Sequence, residues 1–175
     1  MFRSGKVRLL IALAIALFSV ISYYSKRQDN PITGEAQHVD MTVEQEIALG
    51  LQSAPTMIQQ YGGQHPDPQA QATVDKIGQK LVATLPASQP YRFEFHLLSD
   101  PQTVNAFALP GGQVFITYAL YSKLQSEDQL AGVLGHEVAH VVERHSAQQI
   151  AKQQLTQGLT GAAVIASYDP DNPTG

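Results

Sequence analysis

The pentapeptide His136-Glu137-Val138-Ala139-His140 constrains this chain more than any other stretch. Two histidines separated by a glutamate and two further residues can cooperate only on an α-helix, where positions i and i+4 share a face. Composition alone predicts such a pattern about 0.01 times in a chain of this length, so chance is a poor explanation. The flanking residues predict the required helix. Ser126 is a good N-cap with Gln129 at the third helical position, and Leu130, Val133 and Val141 recur at helical spacing. The helix is expected over 127–145.

That helix sets a geometry. His136 and His140 are rotated by roughly 40° and separated by about 6 Å along the axis, so both imidazoles can reach one zinc ion at about 2.0–2.1 Å. Glu137 is rotated roughly 100° from His136 and falls beside Leu130, Val133 and Val141. A carboxylate there is no ligand. It is placed as a general base for a water acidified by zinc, which would then attack a peptide carbonyl. A catalytic zinc needs three protein ligands and an open position. Glu143 lies about 10 Å along the axis from His136, too far to share an ion with both histidines on a straight helix. Asp169 and Asp171, in a turn-like tail, are weak candidates. The residues therefore supply two thirds of a metal site.

Composition narrows the remainder. At 175 residues and 43% hydrophobic, the chain can bury one core and is not disordered throughout. It has no cysteine, which excludes disulfide frameworks, cysteine zinc sites and thiol nucleophiles. Five of its eleven Lys/Arg lie in residues 1–27 with no acid, leaving 28–175 at a net charge of −9. An acidic body argues against nucleic acid as a partner.

The basic end precedes the apolar run Leu9–Tyr24, whose sixteen residues are short for a spanning helix and long for the core of a signal peptide. Residues 1–25 read as a membrane anchor or signal peptide. Either one puts the body outside the cytoplasm. Residues 26–40, polar and carrying Pro31 and Gly34, read as a linker. Residues 41–175 read as the peptidase-like part. Within it Thr42 and Gln45 form a capping box opening a helix to about Tyr61, with Pro55 a candidate break, and Asp67-Pro68 opens another to about Leu85. The period then shortens. A strand is expected around Phe93–Leu98, and Val104–Leu109 and Gln113–Thr117 should form a hairpin across Pro110-Gly111-Gly112. A last helix is expected over 147–167, stopped by Asp169-Pro170. Its apolar stretch Leu159–Ala166 is too short to span a bilayer and reads as a core helix. Helices, then strands, then helices indicate an α+β fold.

The run Asn105–Thr117, the block Glu127–His140 and Arg144-His145-Ser146 together resemble the HtpX/Oma/CAAX-prenyl-protease group, metallopeptidase family 48. Asn30-Pro-Ile-Thr-Gly34 makes the chain most similar to the extracytoplasmic bacterial members. The resemblance spans roughly 28–166. It implies a mainly helical gluzincin-type peptidase domain with a small sheet beside the motif helix, and one zinc held by His136, His140 and a glutamate on a later helix. No such helix precedes Gly175, so the third ligand is expected beyond it and the chain reads as truncated. The resemblance also implies a strand lying across the motif helix at Gly132 and Gly135. Gln113–Thr117 is the candidate, an edge strand offering Val114, Phe115 and Ile116 to an extended substrate, with Asn105 as a further substrate contact.

Two functions follow as expectations. The first is a zinc metalloendopeptidase acting on extracytoplasmic or membrane-associated proteins, with Glu137 as the base. The second is a catalytically incomplete binding or chaperone-like module that keeps the fold. His145 lies far around the helix from His136 and reads as a structural or surface histidine.

Overall fold

The computed structural model describes residues 5–168, which divide into two compact units. The larger comprises 30–35 and 41–147. Its architecture is α+β, and it grows from local signals that the sequence carries openly. In α2 (Val43–Gln60) the Thr42 side chain accepts from Gln45 N while the Gln45 side chain accepts from Thr42 N, a closed capping box. Asp67 accepts from Gln69 N and Pro68 takes the first helical position of α3 (Pro68–Val82). Pro55 does not break α2. The hydrogen bond that proline cannot donate is offset by packing: Ala54 is buried against Leu98 and Phe115, with Met57 and Ile58 alongside.

The sheet orders its strands β3 (Glu94–Leu98), β5 (Gln113–Thr117), β4 (Ala106–Ala108). The expected hairpin forms, with Phe107 opposite Phe115. β3 joins from the other side in parallel, pairing Phe95 with Val114 and Leu97 with Ile116. β5 is therefore the central strand, and every one of its residues is buried. The expectation of an edge strand there is corrected. Val114, Phe115 and Ile116 are walled in on both sides, each burial worth roughly 1.5–3 kcal/mol, and the edge strands are β3 and β4.

Helices cover the sheet in two clusters, α2 against Leu98 and Phe115 and the main core formed by α3 and α5 (Glu127–Val142). Val74 and Ile77 of α3 and Leu130, Leu134, Val138 and Val141 of α5 share the core with Phe95, Leu97, Val114 and Ile116. A short helix α4 (Tyr118–Tyr121) links β5 to α5. Two glycines bring α2 onto the hairpin turn. A Cβ on Gly50 would lie 2.0 Å from the Pro110 carbonyl oxygen, and Gly111, at φ +83°, would meet the Ile47 backbone.

The smaller unit comprises the described residues of 1–29, 36–40 and 148–175. Residues Arg27–Asp29 (β1) and Ala36–His38 (β2) form an antiparallel ribbon where the sequence suggests a linker. α1 (Gly5–Ser25) precedes it, and the unit also contains most of α6 (His145–Ser167). Just before the apolar stretch of α6, Gly158 packs on α1: a Cβ there would meet Ser19 Oγ at 2.1 Å. The Asp169-Pro170 stop signal lies outside the described residues.

Candidate active site

Ser126 caps α5 by accepting from Gln129 N, and the helix carries His136 and Glu137 past its midpoint and His140 in its last turn. The two imidazoles meet edge to face with their Nε2 atoms 3.1 Å apart. Two nitrogens bound tetrahedrally at 2.0–2.1 Å would stand about 3.4 Å apart, so the observed pair is set close to the spacing a zinc ion requires. Imidazole donors suit that metal. Glu137 is 8% exposed. It shares with His136 the wall of a cavity of about 610 Å³, lined also by Asn105, Ala106, Leu120 and Val133.

His145 is placed differently from its sequence reading. The chain turns at Arg144 and brings His145 Nδ1 to 2.6 Å from His140 Nδ1. If His140 carries its proton on Nδ1 and donates it to His145, its Nε2 lone pair is left facing His136. Outer partners of this kind fix both ring orientation and tautomer.

The turn that does this has its own machinery, which no local pattern announces. α5 ends at Val142, three residues short of the expected end. Arg144 adopts φ +55°, a left-handed conformation costly for a side chain of its size. Its guanidinium is buried, donating to Glu46 Oε1 through Nε at 2.8 Å and Nη2 at 2.5 Å, and through Nη2 to the Met41 carbonyl at 2.7 Å. Burial pushes the Glu46 carboxyl above its usual range, against the opposing pull of Arg144. Tyr91 is buried beside this pair, its hydroxyl near Glu46 without closing a well-formed hydrogen bond, and burial raises its pKa to about 12.

Asn30 completes the clamp. Its Nδ2 donates to the Val142 carbonyl at 2.7 Å, and its Oδ1 accepts from Ile32 N and Thr33 N. The Asn-Pro-Ile-Thr-Gly segment is thus a fastening for the end of the motif helix.

Other expected positions separate. Asn105 opens β4 and lines the cavity, while Val114, Phe115 and Ile116 have no access to it. No backbone crosses close to the motif helix at its glycines: Gly132 has nothing within 4 Å, and Gly135 has the Leu81 methyls of α3 at 3.9 Å. Glu143 caps the helix end. Among the described residues no third His, Asp or Glu joins His136 and His140 in a metal-binding group. Asp169 and Asp171 lie outside the described residues.

Against known proteins, a family model described as Peptidase family M48 matches residues 68–175. The chain is 32% identical over 156 residues to the mitochondrial metalloendopeptidase OMA1 of Schizosaccharomyces pombe, covering 86% of this chain and 44% of that protein. It is 30% identical over 173 residues to the beta-barrel assembly-enhancing protease of Escherichia coli K12, covering 95% of this chain and 34% of that protein. A putative beta-barrel assembly-enhancing protease of Vibrio cholerae is 33% identical over 138 residues, 78% of this chain and 28% of that protein. The chain spans less than half the length of these curated relatives.

Proposed function

Because the chain belongs to peptidase family M48, we propose that it carries the motif helix of a zinc-dependent metalloendopeptidase, held at or exported across a membrane and cleaving extracytoplasmic or membrane-associated proteins. The observation that carries this reading is the pair of Nε2 atoms 3.1 Å apart beside a buried glutamate at a cavity wall. His136 and His140 would hold the zinc, with a third donor supplied from outside residues 5–168. Zinc supplies Lewis acidity there, polarising the scissile carbonyl and lowering the pKa of the attacking water.

The chain's own residues do the rest. Glu137 takes the proton of that water and returns it to the leaving amine. Its burial keeps bulk water from competing for the carboxylate. His145 orients His140. The open edge of β4 offers backbone groups to an extended substrate, whose neighbouring side chain enters the cavity past Asn105 and Ala106. α1, 21 residues whose most apolar 18-residue stretch has a mean hydropathy of 2.0, is long and apolar enough to cross a bilayer and is read as the anchor.

Glu137→Gln in the complete protein tests this reading. Cleavage of an unfolded protein substrate should fall by at least about 10²-fold while bound zinc, measured by elemental analysis, is unchanged. Undiminished cleavage overturns it. The two-donor set among the described residues supports a second reading, a non-catalytic binding module. Complete protein that binds no zinc and cleaves nothing, yet holds unfolded clients, would establish that one.

A further inference from the structure

α1 and α6 form an antiparallel pair within the smaller unit. Lys26 Nζ donates to Gln154 Oε1 at 2.9 Å, and one turn further along α6 Gly158 touches Ser19 of α1. Chain numbers thus rise along α6 as they fall along α1. Ala12 and Ala162 are each buried on stripes that continue these contacts at helical spacing. Contact through small residues is how helices pack where lipid, not water, surrounds them.

Much of what the pair leaves uncovered is apolar, with the exposed Gln153, Gln154 and Gln157 of α6 gathered toward the Lys26 end. Leu13, Leu17 and Phe18 of α1 and Leu159 and Val164 of α6 are all exposed, Val164 by 60%. From Gln153 to Ser167 α6 carries no charged side chain. Three hydroxyls of the pair bond back to their own helix. Thr156 Oγ1 donates to the Lys152 carbonyl and Ser167 Oγ to the Val164 carbonyl, as Ser19 Oγ does to the Ile15 carbonyl of α1. Such self-satisfaction is what a hydrocarbon surrounding demands. Charged side chains stand at both ends of the pair, Lys26 and Lys152 at one and Lys6 and Arg8 at the other, where headgroups would lie.

We propose that residues 153–167 are a second bilayer-embedded helix, paired antiparallel with α1 and presenting Leu159 and Val164 to acyl chains. The proposal rests on the reading of α1 as an anchor. A helix fastened along a spanning helix shares its depth. Fifteen residues rise about 22 Å, enough to run deep into a core about 30 Å thick without crossing it.

The absence of native cysteine permits a direct test. The full chain carrying one of Leu13→Cys, Leu159→Cys, Val164→Cys or Gln102→Cys is reconstituted in phosphatidylcholine–phosphatidylglycerol vesicles. A membrane-impermeant maleimide is supplied on both sides, before and after detergent. Gln102→Cys should label at once, and the other three only after detergent. If Leu13→Cys is silent while Leu159→Cys and Val164→Cys label as fast as Gln102→Cys, the proposal is overturned and the anchor stands. Labelling of Leu13→Cys itself overturns the anchor and the proposal together. Silence at 159 and 164 that persists in detergent means protein covers this face, and also overturns it.

Discussion

Arg144 sits where three demands meet: it ends the motif helix, adopts positive φ, and buries a guanidinium on Glu46. The pair is worth keeping because either charge alone would be stranded in the interior, a loss of about 3–5 kcal/mol. The consequence for the site is His145, delivered to His140 Nδ1 by the turn. Replacing His145 with Ala should weaken zinc binding by the complete protein about 10–100-fold, and Asn, which still offers a hydrogen-bond partner, should restore part of it. Competition with a chelator of known affinity reads this directly. A separate effect belongs to Tyr91. The folded state holds its phenol proton to about pH 12, whereas the unfolded chain releases it near 10, so its contribution is complete below pH 10 and is lost as pH rises through 12. Between pH 9 and 12 the urea midpoint of the natural chain should fall further than that of Tyr91→Phe, by up to about 3 kcal/mol of stability.

Among the elements, the hairpin turn governs how α2 approaches the sheet. Gly50 faces the Pro110 carbonyl with no room for a methyl group, since a Cβ would fall 2.0 Å from the oxygen. Gly50→Ala must push α2 off the turn and should cost about 1–3 kcal/mol in urea unfolding, whereas Gly132→Ala, with nothing within 4 Å, should leave stability unchanged or slightly raised. The helix starts were legible because Thr42, Asp67 and Ser126 cap with their own side chains. The end of α5 was not, because Val142 stops the helix only through Asn30 and Glu46, residues about a hundred positions away. Strand order was hidden for the same reason. The β4–β5 hairpin is local, but whether β5 lies at the edge depends on β3 pairing with it from outside the hairpin.

For the molecule as a whole, charge asymmetry and α1 bear on placement. Five cations flank an otherwise uncharged helix, and the residues after it are acidic. Positive ends stay inside, so reporters fused after Arg27 should be active outside the cytoplasm, with paired alkaline phosphatase and β-galactosidase fusions as the measure. A fusion active only inside would refute the topology. The curated relatives are more than twice as long as this chain, so their proteolytic activity bears on it as a proposal about the protein in which this region works.

The helix carrying His136, Glu137 and His140, the helix caps, the sheet hairpin and the apolar first helix were all written in short-range patterns, because a helical or strand period and a capping side chain act within a few residues. Three-dimensional packing decided what those patterns could not. It made β5 an interior strand and β3 and β4 the edge strands, turned a linker-like Asn-Pro-Ile-Thr-Gly run into a fastening for Val142, and brought His145 to His140. Each of these depends on two segments far apart in sequence burying polar or apolar groups against one another, and the free energy of that burial exists only once both are in place.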